Sequence, residues 1–302
     1  MTSASSPPTK AGAINFKYLG NENGEFAGEY STYVKQFGDP KDSARTPLIV
    51  LHGGPGLVHD YLAPFSDLYT KFGTPIILYD QLGNGLSTHL KDMPSRFWKI
   101  DLFIDELVNI INTLGIKDSF ALAGHSWGGI LAAEFAIRRH PQGLKHLILT
   151  DSLASSALWN QSNAQLMQAF PIAVQEGLKS GMKDPHKFFA ALKEFHAVHG
   201  CTIKPFPPEY LHTLEQVFGP DGDPTVAAAP VLNNWTIINE LSRIQVPTFV
   251  INGRNDISQD FVVKPFFDGI AKVKWVTFEK STHSPFFEER ERYMGLINDF
   301  LN

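Results

Sequence analysis

The sequence predicts an α/β fold: a mostly parallel sheet with helices on both faces, interrupted by a helical insertion. Three observations carry this expectation. Between residues 46 and 151, short apolar runs the length of one buried strand alternate with segments at helical spacing. Over 152–239 the chain has helical patterns and irregular stretches but no clear strand. Strand-like runs then return at 248–252 and 273–278. An insertion inside one α/β domain explains this better than two domains in series. The expected divisions are a flexible tail (1–12), a first part of the core (13–151), a helical cap (152–239) and a second part of the core (240–302).

Each element has its own signal. Residues 1–12 are small and polar, include prolines and lack an apolar stretch, so they read as a tail rather than a secretory signal. Residues 14–18 and 29–37 carry β-branched and aromatic side chains on either side of a Gly/Asn-rich turn, as an antiparallel edge pair would. The runs 46–51 and 76–79 read as strands buried on both faces, with 61–72 at helical spacing between them. Residues 98–111 repeat apolar positions every three or four residues and predict a helix ending near Gly115. A strand at 119–123 leads into a helix at 130–139 that Pro141 stops, and 144–151 is a further strand. In the insertion, 165–177 and 186–199 read as helices, followed by a proline-rich link at 204–208 and a Gly/Pro/Asp stretch at 219–224.

Composition narrows the function classes. A chain of 302 residues that is 43% hydrophobic, with 23 Phe, can bury a large core. Its net charge of −5 and its lack of a basic run argue against nucleic acid or an anionic membrane surface as partner. No run approaches the roughly 20 apolar residues of a membrane span. The single cysteine, Cys201, excludes an intrachain disulfide framework, suits a reducing cytoplasmic setting and reads as a packed thiol. There is no closely spaced metal-binding set such as His-Glu-x-x-His, so neither metal nor cofactor is expected. Oligomeric state leaves no trace in the sequence.

The chemistry centres on Gly124-His125-Ser126-Trp127-Gly128, between the strand at 119–123 and the following helix. A strand that turns into a helix this abruptly needs small neighbours around the turning residue, and it leaves Ser126 with its hydroxyl at the top of the sheet. A serine nucleophile also needs a base and a group that orients the base. Asp256 lies just past the run 248–252 and His283 just past 273–278, giving the order nucleophile, acid, base. An oxyanion needs two donors. The Trp127 N–H is one, and the glycine loop His52-Gly53-Gly54-Pro55-Gly56 supplies the other, from Gly54 with Gly53 as the alternative.

Together with Asp80-Gln81-Leu82-Gly83-Asn84-Gly85-Leu86-Ser87, these motifs resemble the α/β-hydrolase fold and, more narrowly, the proline iminopeptidase family of serine peptidases. The resemblance runs over about 30–300 and is weakest in the insertion. It implies an eight-stranded-type sheet with a cap, and turn-stabilising rather than catalytic roles for Asp80 and Ser87. That family binds the substrate's free amine with acidic side chains, one in the cap before a tryptophan and one directly after the catalytic Asp. Here the stretch 225–235 before Trp235 has no acid, and Ile257 follows Asp256. Asp221, Asp223 and Glu209 are possible substitutes, while Glu240 reads as a solvated side chain. The expected substrate is a small molecule or a short peptide or amide, with altered preference towards a neutral amide, ester or lactone. An esterase or lactonase, an acyltransferase or cyclase on a natural product, and a non-catalytic ligand-binding relative are the alternatives.

Overall fold

A computed structural model describes residues 8–21, 23–41 and 44–302. The chain opens with β1 (Lys10–Tyr18), β2 (Gly28–Phe37), β3 (Leu48–Leu51), α1 (Ser66–Phe72) and β4 (Ile76–Tyr79). It continues with α2 (Ile100–Leu114), β5 (Phe120–His125), α3 (Trp127–Arg139) and β6 (Leu144–Thr150). Four helices follow: α4 (Ser156–Met167), α5 (Ile172–Ser180), α6 (Pro185–His199) and α7 (Pro208–Phe218). The last part is β7 (Thr248–Gly253), α8 (Asp260–Gly269), β8 (Val273–Phe278), α9 (Pro285–Glu288) and α10 (Arg290–Leu301).

The eight strands form one sheet in the order β1-β2-β4-β3-β5-β6-β7-β8. The pairs β1/β2 and β2/β4 are antiparallel and the rest are parallel. Strand side chains alternate between faces, so the sheet divides the core in two. Ile49, Leu51, Leu122, Leu147, Leu149 and Val250 pack with residues of α2, α3 and α8. Leu48, Val50, Ala121, Ile148, Phe249 and Ile251 pack on the other face with residues of α1 and α10. Among the described residues, no helix is long and apolar enough to cross a membrane.

Two expectations change. β1 starts at Lys10, opposite Gln36, so three residues assigned to the tail lie in the sheet's edge strand; residues 1–7 lie outside the described residues. The helix expected over 165–177 is two helices, with Pro171 extended between them (φ −54, ψ 149). Proline supplies no N–H to continue α4 and disfavours helical geometry at the residue before it, yet is well placed to start α5. α2 ends as expected, with Gly115 left-handed at φ 70. The insertion leaves and re-enters the core at one point. Ser155 bridges Thr236, and the Ile237 N–H donates to the Ala154 carbonyl at 2.9 Å.

Candidate active site

The turn after β5 is as tight as its glycines allow. A Cβ on Gly124 would stand 2.2 Å from the Gly128 carbonyl oxygen, and one on Gly128 would stand 2.1 Å from that of Leu51. Ser126 occupies φ 53, ψ −118, a conformation that L residues rarely adopt and that costs on the order of 1–3 kcal/mol. Its N–H donates to the Thr150 carbonyl at 2.9 Å, and its carbonyl accepts from Gly129 N–H and Ser152 Oγ, both at 2.9 Å. The strain is thus held by the next strand and by the first turn of α3.

His283 stands in the loop after β8, and its Nδ1 lies 2.5 Å from Asp256 Oδ1 in the loop after β7. That carboxylate oxygen also accepts from Ser258 N–H at 2.9 Å. The contact requires the proton on Nδ1, which leaves Nε2 as a free base. The imidazole packs against the rings of His125 (4.7 Å between centroids) and Trp159 (5.9 Å). Ser126 and His283 line one cavity, so the structure brings the predicted nucleophile, base and acid to one place.

A chain of neutral groups supports them. Gly53 N–H donates to the Tyr61 hydroxyl at 2.7 Å, which lies 2.7 Å from His125 Nδ1; His125 Nε2 lies 2.8 Å from the His283 carbonyl. With the ring neutral, one protonation pattern satisfies all three contacts: Nε2–H donates to the carbonyl and Nδ1 accepts from the phenol. Burial pushes the His125 pKa well below its ordinary value, which keeps the ring in that neutral form. Gly53 N–H is therefore occupied, whereas the Gly54 and Trp127 N–H groups donate to no acceptor among the described residues. The glycine loop is fixed from behind as well. Gln81 N–H donates to His52 Nε2 at 3.0 Å, and Gln81 Oε1 accepts from the Trp127 indole at 2.7 Å. Burial lowers the His52 pKa to about 4, in keeping with an accepting imidazole. Asp80 accepts from His59 and Leu86 N–H, and Ser87 ties its hydroxyl to the Asp80 carbonyl, so both residues brace a turn.

The cavity over Ser126 measures about 390 Å³ and is walled by cap side chains including Trp159, Phe188, Leu192, Leu214 and Phe218, with Ile257 beside the acid. His196 and Tyr210, 2.8 Å apart, are a polar pair on that wall. A second cavity of about 260 Å³ meets the first at Gly54, Pro55, Ser126, Trp159 and Ala227. No carboxylate lines either cavity among the described residues. The possible substitutes lie elsewhere: Asp223 is bound by His89 and Thr225, Asp221 is exposed, and the half-buried Glu209 in the first turn of α7 lines neither cavity. Trp235 donates its indole N–H to Glu134 on α3, and the exposed Glu240 pairs with Arg243.

Sequence reasoning missed Tyr61, His125 and Asp151. His125 was visible inside the Gly-His-Ser-Trp-Gly motif, and Asp151 stands just past a strand as Asp256 does. One oxygen or ring nitrogen each from His125, Asp151 and His283 lies within 4.8 Å of the others, a spacing that could suit a metal ion. Both His125 nitrogens and His283 Nδ1 are already engaged in hydrogen bonds, so the trio offers a cation little.

Comparison with known proteins agrees with this architecture. A sequence model of the alpha/beta hydrolase family matches residues 48–295. A proline iminopeptidase of Clostridium botulinum is 32% identical over 287 residues, spanning 91% of this chain and 95% of that one. Among solved structures, VinJ superposes with a TM-score of 0.87 at 38% identity, covering 98% of this chain and 99% of that one. A proline iminopeptidase from Mycobacterium smegmatis gives 0.79 at 30% identity, over 96% and 97% of the two chains. The chain belongs to the alpha/beta hydrolase family and, within it, to the group of the proline iminopeptidases.

Proposed function

We propose that this hydrolase works through an acyl-enzyme on a neutral, largely apolar amide or ester. Ser126 Oγ attacks the substrate carbonyl while His283 Nε2 takes its proton, and Asp256 orients and charge-stabilises the imidazolium. The N–H groups of Trp127 and Gly54 hold the oxyanion. His283 then passes the proton to the leaving amine or alcohol. Water, deprotonated by the same imidazole, releases the acid and restores the serine. The second cavity gives the leaving group, or an acceptor other than water, a place beside the same carbonyl.

The observation that carries the substrate class is the cavity wall without a carboxylate. Release of an N-terminal proline, the activity named for several relatives, means holding a free ammonium beside the scissile bond. An ammonium taken from water into this cavity would lose its hydration and find no charged acceptor, a costly placement. A chain that had kept the relatives' preference would present an acid there.

A fluorophosphonate probe should label the wild-type protein, and Ser126→Ala should abolish labelling. Labelling that persists in Ser126→Ala removes the nucleophile assignment. Faster cleavage of free prolyl arylamides than of their N-acetyl counterparts reverses the substrate assignment.

A further inference from the structure

The mechanism above leaves one buried acid unused. Asp151 follows β6, the strand between those that carry Ser126 and Asp256, and it is fully buried. Its backbone is left-handed (φ 51) and is held by its N–H on the Ile251 carbonyl and by Ser258 Oγ on its own carbonyl, both at 2.8 Å. Asp151 Oδ1 accepts from Gly253 N–H at 3.1 Å. The other oxygen, Oδ2, has no donor, and neither has Oδ2 of Asp256. The two acids are neighbours behind His283: Ser258 holds both, through its N–H on Asp256 Oδ1 at 2.9 Å and its Oγ on the Asp151 carbonyl, and an Asp151 carboxylate oxygen lies within 4.8 Å of a ring nitrogen of His283.

The neighbours do not resolve this. His125 Nε2 lies 3.8 Å from Asp151 Oδ2, but its proton points to the His283 carbonyl. Tyr61 is committed to Gly53 and His125, and the Tyr293 hydroxyl to Thr150 at 2.7 Å. Glu288 adds a further negative charge, although Thr202 and Thr282 satisfy it. His283 already gives its Nδ1 proton to Asp256 Oδ1. Two carboxylates here would be two buried acceptors repelling each other without a cation. A single proton between them turns both unpaired oxygens into one hydrogen bond.

We propose that Asp151 holds a proton at neutral pH and donates it to Asp256 Oδ2, so that the pair shares one negative charge. Asp151 is then a positioning residue. It fixes the acid behind His283 and can release its proton to supply the charge when residue 256 is neutral. Burial and the neighbouring Asp256 both push the Asp151 pKa well above the ordinary carboxylate range, in agreement with this state. The proposal rests on Asp256 being the acid that serves His283.

Infrared spectra and probe-labelling rates test it together, on variants whose folding is checked by thermal unfolding. The wild-type spectrum at neutral pH should contain a protonated carboxylic acid C=O band that Asp151→Asn removes; absence of that band overturns the proposal. Asp151→Ala should slow fluorophosphonate labelling by about ten-fold or more, and Asp151→Asn, whose amide still donates, should recover most of the loss. Asp151→Asn should cost about ten-fold more in an Asp256→Asn background, because no charge then remains behind His283. An equal cost in both backgrounds marks Asp151 as mere scaffolding and overturns the proposal. The infrared band does not depend on activity, so a wrong nucleophile assignment would abolish labelling dependence on Ser126 and leave the band in place.

Discussion

The hydroxyl of Tyr61 accepts a hydrogen bond from Gly53 N–H and donates one to His125 Nδ1, and so leaves Gly54 as the glycine whose N–H is open. Tyr61→Phe removes both contacts at once. Each buried group left without a partner costs roughly 1–3 kcal/mol. The variant should therefore melt several degrees lower and label more slowly than wild type; an unchanged melting temperature would mean that water replaces the hydroxyl. Ser126, Asp256 and His283 were readable in the sequence because each lies just past a strand and because the order follows a known chemistry. Tyr61 was not, since nothing in an apolar helical pattern shows that one phenol reaches across to another strand. Asp151 met the positional criterion as well as Asp256 did. Only the packing of the loops after β6 and β7 shows that the two acids meet.

At the scale of elements, α2 carries an acid on its buried side. Glu106 accepts from Thr32 Oγ1 at 2.6 Å and from Leu82 N–H at 3.0 Å, tying the helix to β2 and to the loop after β4. Burial raises its pKa from 4.5 to about 8. A raised carboxyl pKa means that folding favours the protonated form. The contribution is present in full below the unfolded value, is lost as pH rises, and is gone above about 8. Glu106→Gln keeps the shape and removes the titration. The wild type's melting temperature should therefore fall relative to the variant's between pH 4.5 and about 8; parallel curves would show that Glu106 ionises freely in the fold. Helices were legible in proportion to their apolar stripe. α2 buries nine residues at regular spacing and was found, whereas α4 buries only Ser162 fully and was mostly missed. The break at Pro171 was readable in principle, but the apolar pattern on either side of it concealed the boundary.

For the whole molecule, the proposed function divides the work: the ends of the sheet carry the reacting groups and the insertion walls the cavity over them. Trp159, Phe188, Leu192, Leu214 and Phe218 come from the insertion and face groups carried by the ends of β5, β7 and β8. Substrates that differ only in a free or acetylated amine isolate the effect of that wall. The neutral member should have a kcat/KM at least about ten-fold higher, the equivalent of one lost charge-assisted contact. The reverse order would place an acid near the bound amine in solution.

The paired ends of the insertion, Ser155 bridged to Thr236 and Ala154 joined to Ile237, have a further consequence. The sheet fixes where the insertion leaves and returns, and not how long it is. The insertion is tied to the site all the same: His283 N–H donates to the His199 carbonyl at 3.1 Å, and Ser162 Oγ donates to the Ile257 carbonyl. A cap of another length could stand on the same sheet only if it kept those contacts to the loops after β7 and β8.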